Sequence, residues 1–336
     1  MKVVFFHRKP RASGNYSVET YFRAVRERMP IDVEPIVAAS RYESNGIFKR
    51  VYNILEAAYR QRLGDVYHIT GEVHFLTYLL KKKNTILTIL DCIILERTKG
   101  ITRWFYRFFW YIIPVKKAKI ITAISESTKK EILKYVNCDP DKIVVIPVSI
   151  SNKFKPLHKE YNLEKPVLLQ IGTTQNKNIS RLIEAIKDMP CKLEIVGKLD
   201  EKLIHLLRKN NIEYENFVNL NEDEIIKRYN NCDIVTFVST YEGFGMPILE
   251  ANAVGRPVIT GNTSSMPEVA GEAACFVNPF DVSDIKNGIE KIIRDDDYRN
   301  ELIKKGFINK NRFCQEKITN EYFQLYRNIF NDCAKK

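Results

Sequence analysis

The sequence holds no Cys-x-x-Cys pair. Its seven cysteines (Cys92, Cys138, Cys191, Cys232, Cys275, Cys314 and Cys333) are odd in number and scattered. That spacing argues against a zinc site and a disulfide framework, and for thiols kept reduced in a cytosolic setting. Long apolar runs are also missing. The longest, Phe108 to Val115, is interrupted by Pro114, whereas a bilayer-spanning helix needs about 20 apolar residues. The first apolar segment, Val3 to Phe6, is too short for a signal peptide, so the chain is expected to stay in the cytoplasm where it is made. Glycine (14) and proline (13) are sparse, and 45% of residues are apolar with 11% aromatic, which excludes disordered and fibrous classes.

Two phosphate-binding signatures are absent as well. Gly243-Phe244-Gly245-Met246-Pro247-Ile248 follows a predicted strand but lacks the third glycine of a dinucleotide fingerprint, and no Gly-rich loop ends in Lys-Ser or Lys-Thr. Hydride transfer and ATP hydrolysis thereby lose their main support. What is present is enough chain for two domains, at 336 residues. Charge divides unevenly along it. Residues 1 to 155 carry 28 Lys and Arg against 14 Asp and Glu, whereas residues 156 to 336 carry 25 against 27. A basic first half faces phosphate, an anionic membrane or nucleic acid, or is a solvated surface.

Apolar strands alternate with helical patterns throughout. Strands are predicted at Val3 to His7, Val66 to Ile69, Thr85 to Leu90, Ile120 to Ile124 and Ile143 to Ile146. After the Lys-rich stretch Ser151 to Lys165 they resume at Val167 to Ile171, Leu193 to Val196, Phe217 to Leu220, Ile234 to Val238, Val258 to Thr260 and Cys275 to Val277. Continuous apolar strands separated by helices imply parallel sheets covered on both faces, here two doubly wound α/β domains in tandem. Ligands of such sheets sit beyond the carboxyl ends of the strands.

The segment richest in chemistry is Ser239 to Glu250. Pro247 suits the start of a helix, where its missing N–H costs nothing. Gly243 and Gly245 let a ligand approach the backbone, and the free N–H groups at a helix start favour an anion such as a diphosphate. Glu250, expected in the first turn, leans back toward the same mouth as Glu242. Two carboxylates beside an anion site make sense where the ligand also offers hydroxyls, because a carboxylate accepts two hydrogen bonds side by side from a vicinal diol. A nucleotide sugar combines diphosphate, ribose and hexose.

The run Glu242 to Glu250, followed by Ala251-Asn252-Ala253-Val254-Gly255-Arg256-Pro257-Val258-Ile259 and Ser264-Ser265-Met266-Pro267-Glu268-Val269, resembles the group 1, or family 4, retaining glycosyltransferases. Gly172-Thr173-Thr174-Gln175-Asn176-Lys177-Asn178 is similar to that family's phosphate-binding loop. Ile124-Ser125-Glu126-Ser127-Thr128-Lys129 and Ile146-Pro147 resemble its first-domain landmarks. The resemblance implies a GT-B fold of two Rossmann-like domains. An acceptor-binding domain would occupy residues 1 to 155 and a sugar-nucleotide domain 156 to 315, with a last helix in 316 to 336 crossing back to the first domain.

By the same resemblance Glu250 holds the ribose, while Glu242 and the Gly243, Phe244 and Gly245 backbone hold the transferred sugar. Lys177, beside Thr173, neutralises the leaving diphosphate, and Gly14 lies in a loop that closes on the donor. A fixed lysine and helix N–H groups aimed at the diphosphate stabilise the charge developing there, so this account requires neither metal nor cofactor. The runs Glu222-Asp223-Glu224 and Asp295-Asp296-Asp297 read as solvated surface.

The chain departs from the family pattern at two places. Thr173 and Asn176 stand near positions where an Arg often accompanies the lysine, and Leu90 stands where many members have the His of a His-Asp pair. His74 is the candidate to replace that His, with His68 nearby. The segment Arg103 to Tyr111, ahead of Lys116, Lys117 and Lys119, mixes aromatics with cations; it reads either as an element lying on an anionic membrane or as a buried helix with a basic rim. The function expected is metal-independent retaining transfer of a hexose to a polysaccharide or lipid-linked acceptor, in the cytoplasm and peripherally on the inner face of the membrane. Two alternatives stay open: nucleotide-sugar epimerisation on the same fold, and non-enzymatic binding of a membrane or polyanion. No nucleic-acid-binding module is recognisable.

Overall fold

The computed structural model describes residues 1–10 and 17–334. Its chain divides into two units: Met1–Ser149 together with the last helix, Gln315–Ala334, and Ile150–Cys314. Each unit holds one sheet whose described strands are all parallel. The first contains β1 (Lys2–His7), β2 (Glu34–Ala39), β3 (Val66–Ile69), β4 (Thr85–Ile89), β5 (Ile120–Ala123) and β6 (Ile143–Val145), in the order β2-β1-β3-β4-β5-β6.

The two-residue period of the strands sorts its core. Val3, Phe5, Val66 and Ile86 face one side, where Tyr21, Phe22, Ile318, Tyr322 and Tyr326 cover them. Val4, Phe6, Tyr67, Ile69, Leu87 and Ile89 face the other, against Ala57, Phe75, Tyr111 and Ile132. The last helix is therefore part of the first domain. Tyr326 Oη lies 2.7 Å from His68 Nδ1, and His68 Nε2 lies 2.7 Å from Thr88 Oγ1. Complete burial depresses the His68 pKa to about 3, so the ring is neutral and structural.

The second unit contains β7 (Val167–Ile171), β8 (Lys192–Val196), β9 (Tyr214–Phe217), β10 (Ile234–Phe237), β11 (Val258–Gly261) and β12 (Cys275–Val277), ordered β12-β11-β10-β7-β8-β9. Leu168, Leu193, Ile195 and Ile259 pack one face against Leu182, Ile183, Leu207 and Ile289. In both sheets the strand order reverses beside the first strand, between β1 and β3 and between β7 and β10. These are the points where loops diverge and a ligand can enter.

Two elements differ from the sequence reading. β2 carries no strong apolar signal, because it is an edge strand that opens Glu34-Pro35 and leaves Val37 52% exposed. β9 ends at Phe217, where a strand over Phe217 to Leu220 was expected. It too is an edge, with Glu215 and Asn216 exposed, and the chain turns at Asn219, whose φ is 57°. The carboxylate runs serve helix starts. Asn221 and Glu224 form a capping box for helix Glu222–Asn231, and Asp295 caps helix Asp296–Asn309 through Tyr298 N at 2.9 Å.

Candidate functional site

The loops after β7 and β10 meet at the second domain's switch point. Beyond β7 the chain turns at Gly172 (φ 84°), where a Cβ would come 3.0 Å from Lys177 Cε. The tight turn Gln175–Lys177 then ends at Asn178 in the left-handed region. Asn178 Nδ2 donates to the Val238 and Pro279 carbonyls at 3.0 and 2.6 Å, tying this loop to the end of β10. Asn176 adds further ties: its carbonyl accepts from Thr240 N at 2.8 Å, and its Nδ2 donates to the Tyr241 carbonyl at 3.0 Å and Glu242 Oε1 at 3.1 Å.

Lys177 Nζ reaches the same Glu242 Oε1 at 2.7 Å, with the two side chains 17% and 15% exposed, and lies 4.6 Å above the Phe237 ring. The loop after β11 contributes Ser265. Fully buried, its hydroxyl is within hydrogen-bond range of the Glu242 and Phe244 carbonyls, at 3.0 and 2.6 Å. Phe244 buries its ring edge-on to Phe313.

Gly245, at φ 120°, caps helix Met246–Val254. Any side chain there would be strained, and a Cβ would lie 3.2 Å from Ile248 Cδ1. Pro247 is the second helical residue, one later than expected, and Glu250 the fifth, so it begins the second turn. Its carboxylate nonetheless feels the Lys177 charge. Glu250 Oε2 accepts from the buried Tyr229 hydroxyl. Burial raises the Glu250 pKa to about 7, opposed by the Tyr229 hydrogen bond and the Lys177 charge and assisted by Glu222. Thr173 lies beside the loop with Oγ1 on the Lys198 carbonyl at 2.7 Å.

Of the residues singled out in the sequence, Thr173, Lys177, Glu242, Gly243, Phe244 and Gly245 lie in the loops that follow β7 and β10, and Glu250 lies on the helix that the second loop leads into. Gly14 lies outside the described residues. His74 is buried in the first domain: Nδ1 sits 2.8 Å from the Trp110 carbonyl, the ring meets Tyr111 edge-on at 5.3 Å, and burial depresses its pKa to about 4. Leu90 lies just beyond the end of β4.

The sequence reading passed over a group at the first domain's own switch point. Arg8, just past β1, donates from Nε to Glu19 Oε1 at 2.8 Å and from Nη1 to Glu72 Oε2 at 2.6 Å. Glu72 holds a positive φ of 36°, unusual for a residue with a Cβ. Beside it His7 accepts from Arg26 Nη1 at Nε2 (2.7 Å). Thr70 Oγ1 donates to the Phe6 carbonyl, so the remaining proton of His7 sits on Nδ1, 2.8 Å from that oxygen. The partners of Arg8 stand 11 and 64 residues away. Only the order β1-β3 placing Arg8 beside the Thr70-Gly71-Glu72 loop would have signalled them.

Residues 153–308 match the model of the family described as glycosyl transferases group 1. Among curated proteins, the chain is similar to the serotype-specific mannosyltransferase WbdA of Escherichia coli, 30% identical over 213 residues, covering 56% of this chain and 26% of that one. It is also similar to the O-antigen chain mannosyltransferase B of Escherichia coli, 28% identical over 233 residues, covering 62% and 61%. The chain thus spans about a quarter of the first relative and three fifths of the second. Among solved structures, the sucrose-phosphate synthase of Thermosynechococcus elongatus superposes with a TM-score of 0.80 at 14% identity, over 98% of this chain and 99% of that one, a likeness of fold. Residues 153–308 thus carry the likeness to the group 1 glycosyltransferases, and the paired parallel sheets are those of the GT-B fold.

Proposed function

We propose that the protein transfers a hexose, with retention and without a metal, from a nucleotide diphosphate sugar to a polysaccharide or lipid-linked glycan at an anionic membrane surface. The observation that carries this reading is the Lys177–Glu242 pair beside the Gly245-capped helix mouth, with the Glu250 carboxylate on the same helix. A cation, helix N–H groups and two carboxylates match the mixed chemistry of such a donor. Glu250 accepts from the ribose hydroxyls. Glu242 and the backbone of Gly243, Phe244 and Gly245 hold the sugar, and Thr173 and Lys177 serve the diphosphate.

Without donor, Lys177 and Glu242 satisfy each other. On binding, each turns to a ligand group of the opposite character, and the loop ties through Asn176, Asn178 and Ser265 hold both in place. In the transfer step the bond from the anomeric carbon to phosphate oxygen breaks with its electrons leaving on the diphosphate, and the acceptor oxygen bonds to that carbon from the same face. The acceptor proton passes to the departing phosphate oxygen, so no separate base is required. Lys177 and the helix mouth stabilise the developing charge, an interaction stronger in the transition state than in the ground state.

The acceptor falls to the first domain, where the Arg8, Glu19 and Glu72 cluster offers both signs of charge to hydroxyls. His74 serves there by positioning the Trp110 backbone. The relatives named as mannosyltransferases make mannose the first sugar to test. A thermal-shift panel of GDP-mannose, UDP-glucose and ADP-glucose tests donor binding, since a tight ligand raises the melting temperature by mass action. A shift with one donor, and transfer giving a product of unchanged anomeric configuration, is the expected result. No shift with any of them, or an inverted product, overturns the reading.

A further inference from the structure

Helix Ile47–Arg60 has the opposite polarity from that of a helix covering a sheet. Its inward side buries Asn53 and Ala57. Its outward side carries Ile47, Phe48, Val51, Tyr52, Leu55 and Tyr59, exposed from 41% at Tyr52 to 92% at Phe48. With 3.6 residues per turn these six fall within an arc of about 140°. A second stripe in the same domain follows the helical spacing of Ile101, Trp104, Phe105 and Phe108, along helix Gly100–Tyr106 and the π-helical turn Arg107–Ile112. Its Trp104 and Phe108 rings stack at 5.6 Å.

The two elements are joined. The Arg50 guanidinium lies 4.6 Å over the Trp110 ring, and Trp110 meets Tyr106 edge-on at 5.7 Å. Charge around them has one sign. From Arg97 to Lys119 there are seven Lys and Arg and no Asp or Glu. From Ile47 to Arg62 there are four cations and one acid, Glu56, which pairs with Arg60. Like-signed flanks repel a second copy of the chain, and a polyanionic glycan would answer the cations while leaving the exposed aliphatic side chains of Ile47, Val51, Leu55 and Ile101 in water. A bilayer with anionic headgroups answers both, taking the aromatics at the interface and the cations against phosphate.

We infer that helix Ile47–Arg60 and the Ile101–Phe108 stripe together form the surface by which this protein docks on an anionic lipid bilayer. The inference rests on the reading that the protein acts at a membrane, and is independent of the donor and acceptor.

The test is sedimentation of the full chain with phosphatidylcholine vesicles, with and without phosphatidylglycerol, at low and high salt. Phe48→Glu/Leu55→Glu and Trp104→Glu/Phe108→Glu are compared with wild type. All four positions are exposed, so the melting temperature and the donor-induced thermal shift are expected to be unchanged. Wild type should bind the anionic vesicles at low salt, and each double variant should bind about tenfold less. In a Trp110→Phe background, where Trp104 is the remaining tryptophan, its emission should shift to the blue on binding. Wild type that ignores anionic vesicles overturns both the membrane reading and this surface. Vesicle binding that survives Phe48→Glu/Leu55→Glu overturns the surface alone, as does a lipid-free dimer dissolved by those substitutions while vesicle binding persists.

Discussion

Donor affinity should titrate with Glu250. Its carboxyl is pushed up to about 7, so near neutral pH a substantial fraction carries a proton. Ribose hydroxyls donate to the ionised form and favour it. A binding partner that selects the ionised state of a group with pKa near 7 loses about tenfold in affinity between pH 8 and pH 6, with little change above pH 8. The sign is set by burial, which raises this pKa. Ionisation of the buried carboxyl is costly, and a donor that supplies hydrogen bonds offsets that cost.

Tyr229→Phe removes the one hydroxyl that already favours the charged form. A hydrogen bond to a charged group contributes about 1.5–3 kcal/mol, or roughly one to two pKa units. The midpoint should therefore rise to about 8 or above, and affinity at pH 7.5 should drop about threefold or more. Glu250→Gln should bind donor weakly with a flat profile across this range. Calorimetric titration with the donor from pH 5.5 to 8.5 measures all three proteins, against about these expectations. A Glu250→Gln variant that keeps wild-type affinity and the wild-type midpoint refutes the assignment of Glu250 to the ribose.

Lys177→Ala should lower turnover by about a hundredfold to a thousandfold at saturating donor, measured as sugar transfer, because it removes charge stabilisation from the leaving group; retention of most activity would refute that role. Activity should persist in excess EDTA, and a loss restored by magnesium or manganese would show that the lysine and helix mouth do not suffice. Ser265→Ala takes the donor from the Glu242 and Phe244 carbonyls; it should cost about 1 kcal/mol of stability and weaken donor binding severalfold, by denaturation and calorimetry. His74 should act on stability. Its pKa is depressed from 6.5 to about 4, so its contribution is full above pH 6.5 and lost as pH falls through 4, by about 3 kcal/mol. His74→Leu should flatten that acid slope by about one proton and reduce turnover modestly, and a collapse of turnover in a well-folded variant would make His74 catalytic.

Most of the second sheet is legible because its central strands are buried on both faces and read as apolar runs. Leu168, Leu169, Ile234, Val235, Val258 and Ile259 are all fully buried. The edges β2 and β9 carry less of that signal, since half of an edge strand's side chains meet water. The residues proposed for the donor stand out in the sequence for a different reason. Gly243, Gly245, Pro247 and Glu250 lie close together in sequence, so local backbone chemistry exposes them. Arg8, Glu19 and Glu72 are brought together by strand order, which no local pattern encodes. For helix Ile47–Arg60 the sequence contains an apolar stripe, but periodicity cannot say whether a stripe faces the core or the solvent.

The last helix has a consequence for how the protein is made. Ile318, Tyr322, Phe323, Tyr326 and Ile329 join Phe22 in covering the side of the first sheet that carries Phe5 and Val66. The second domain is one unbroken stretch from Ile150 to Cys314. A ribosome finishes that stretch before it has delivered Tyr322, so the domain that begins second is the first whose parts are all present. The domain that begins first waits with one apolar face uncovered until the helix arrives. During that interval it is the part of the nascent chain most in need of a chaperone, and the part that a premature stop after Cys314 would leave unfinished.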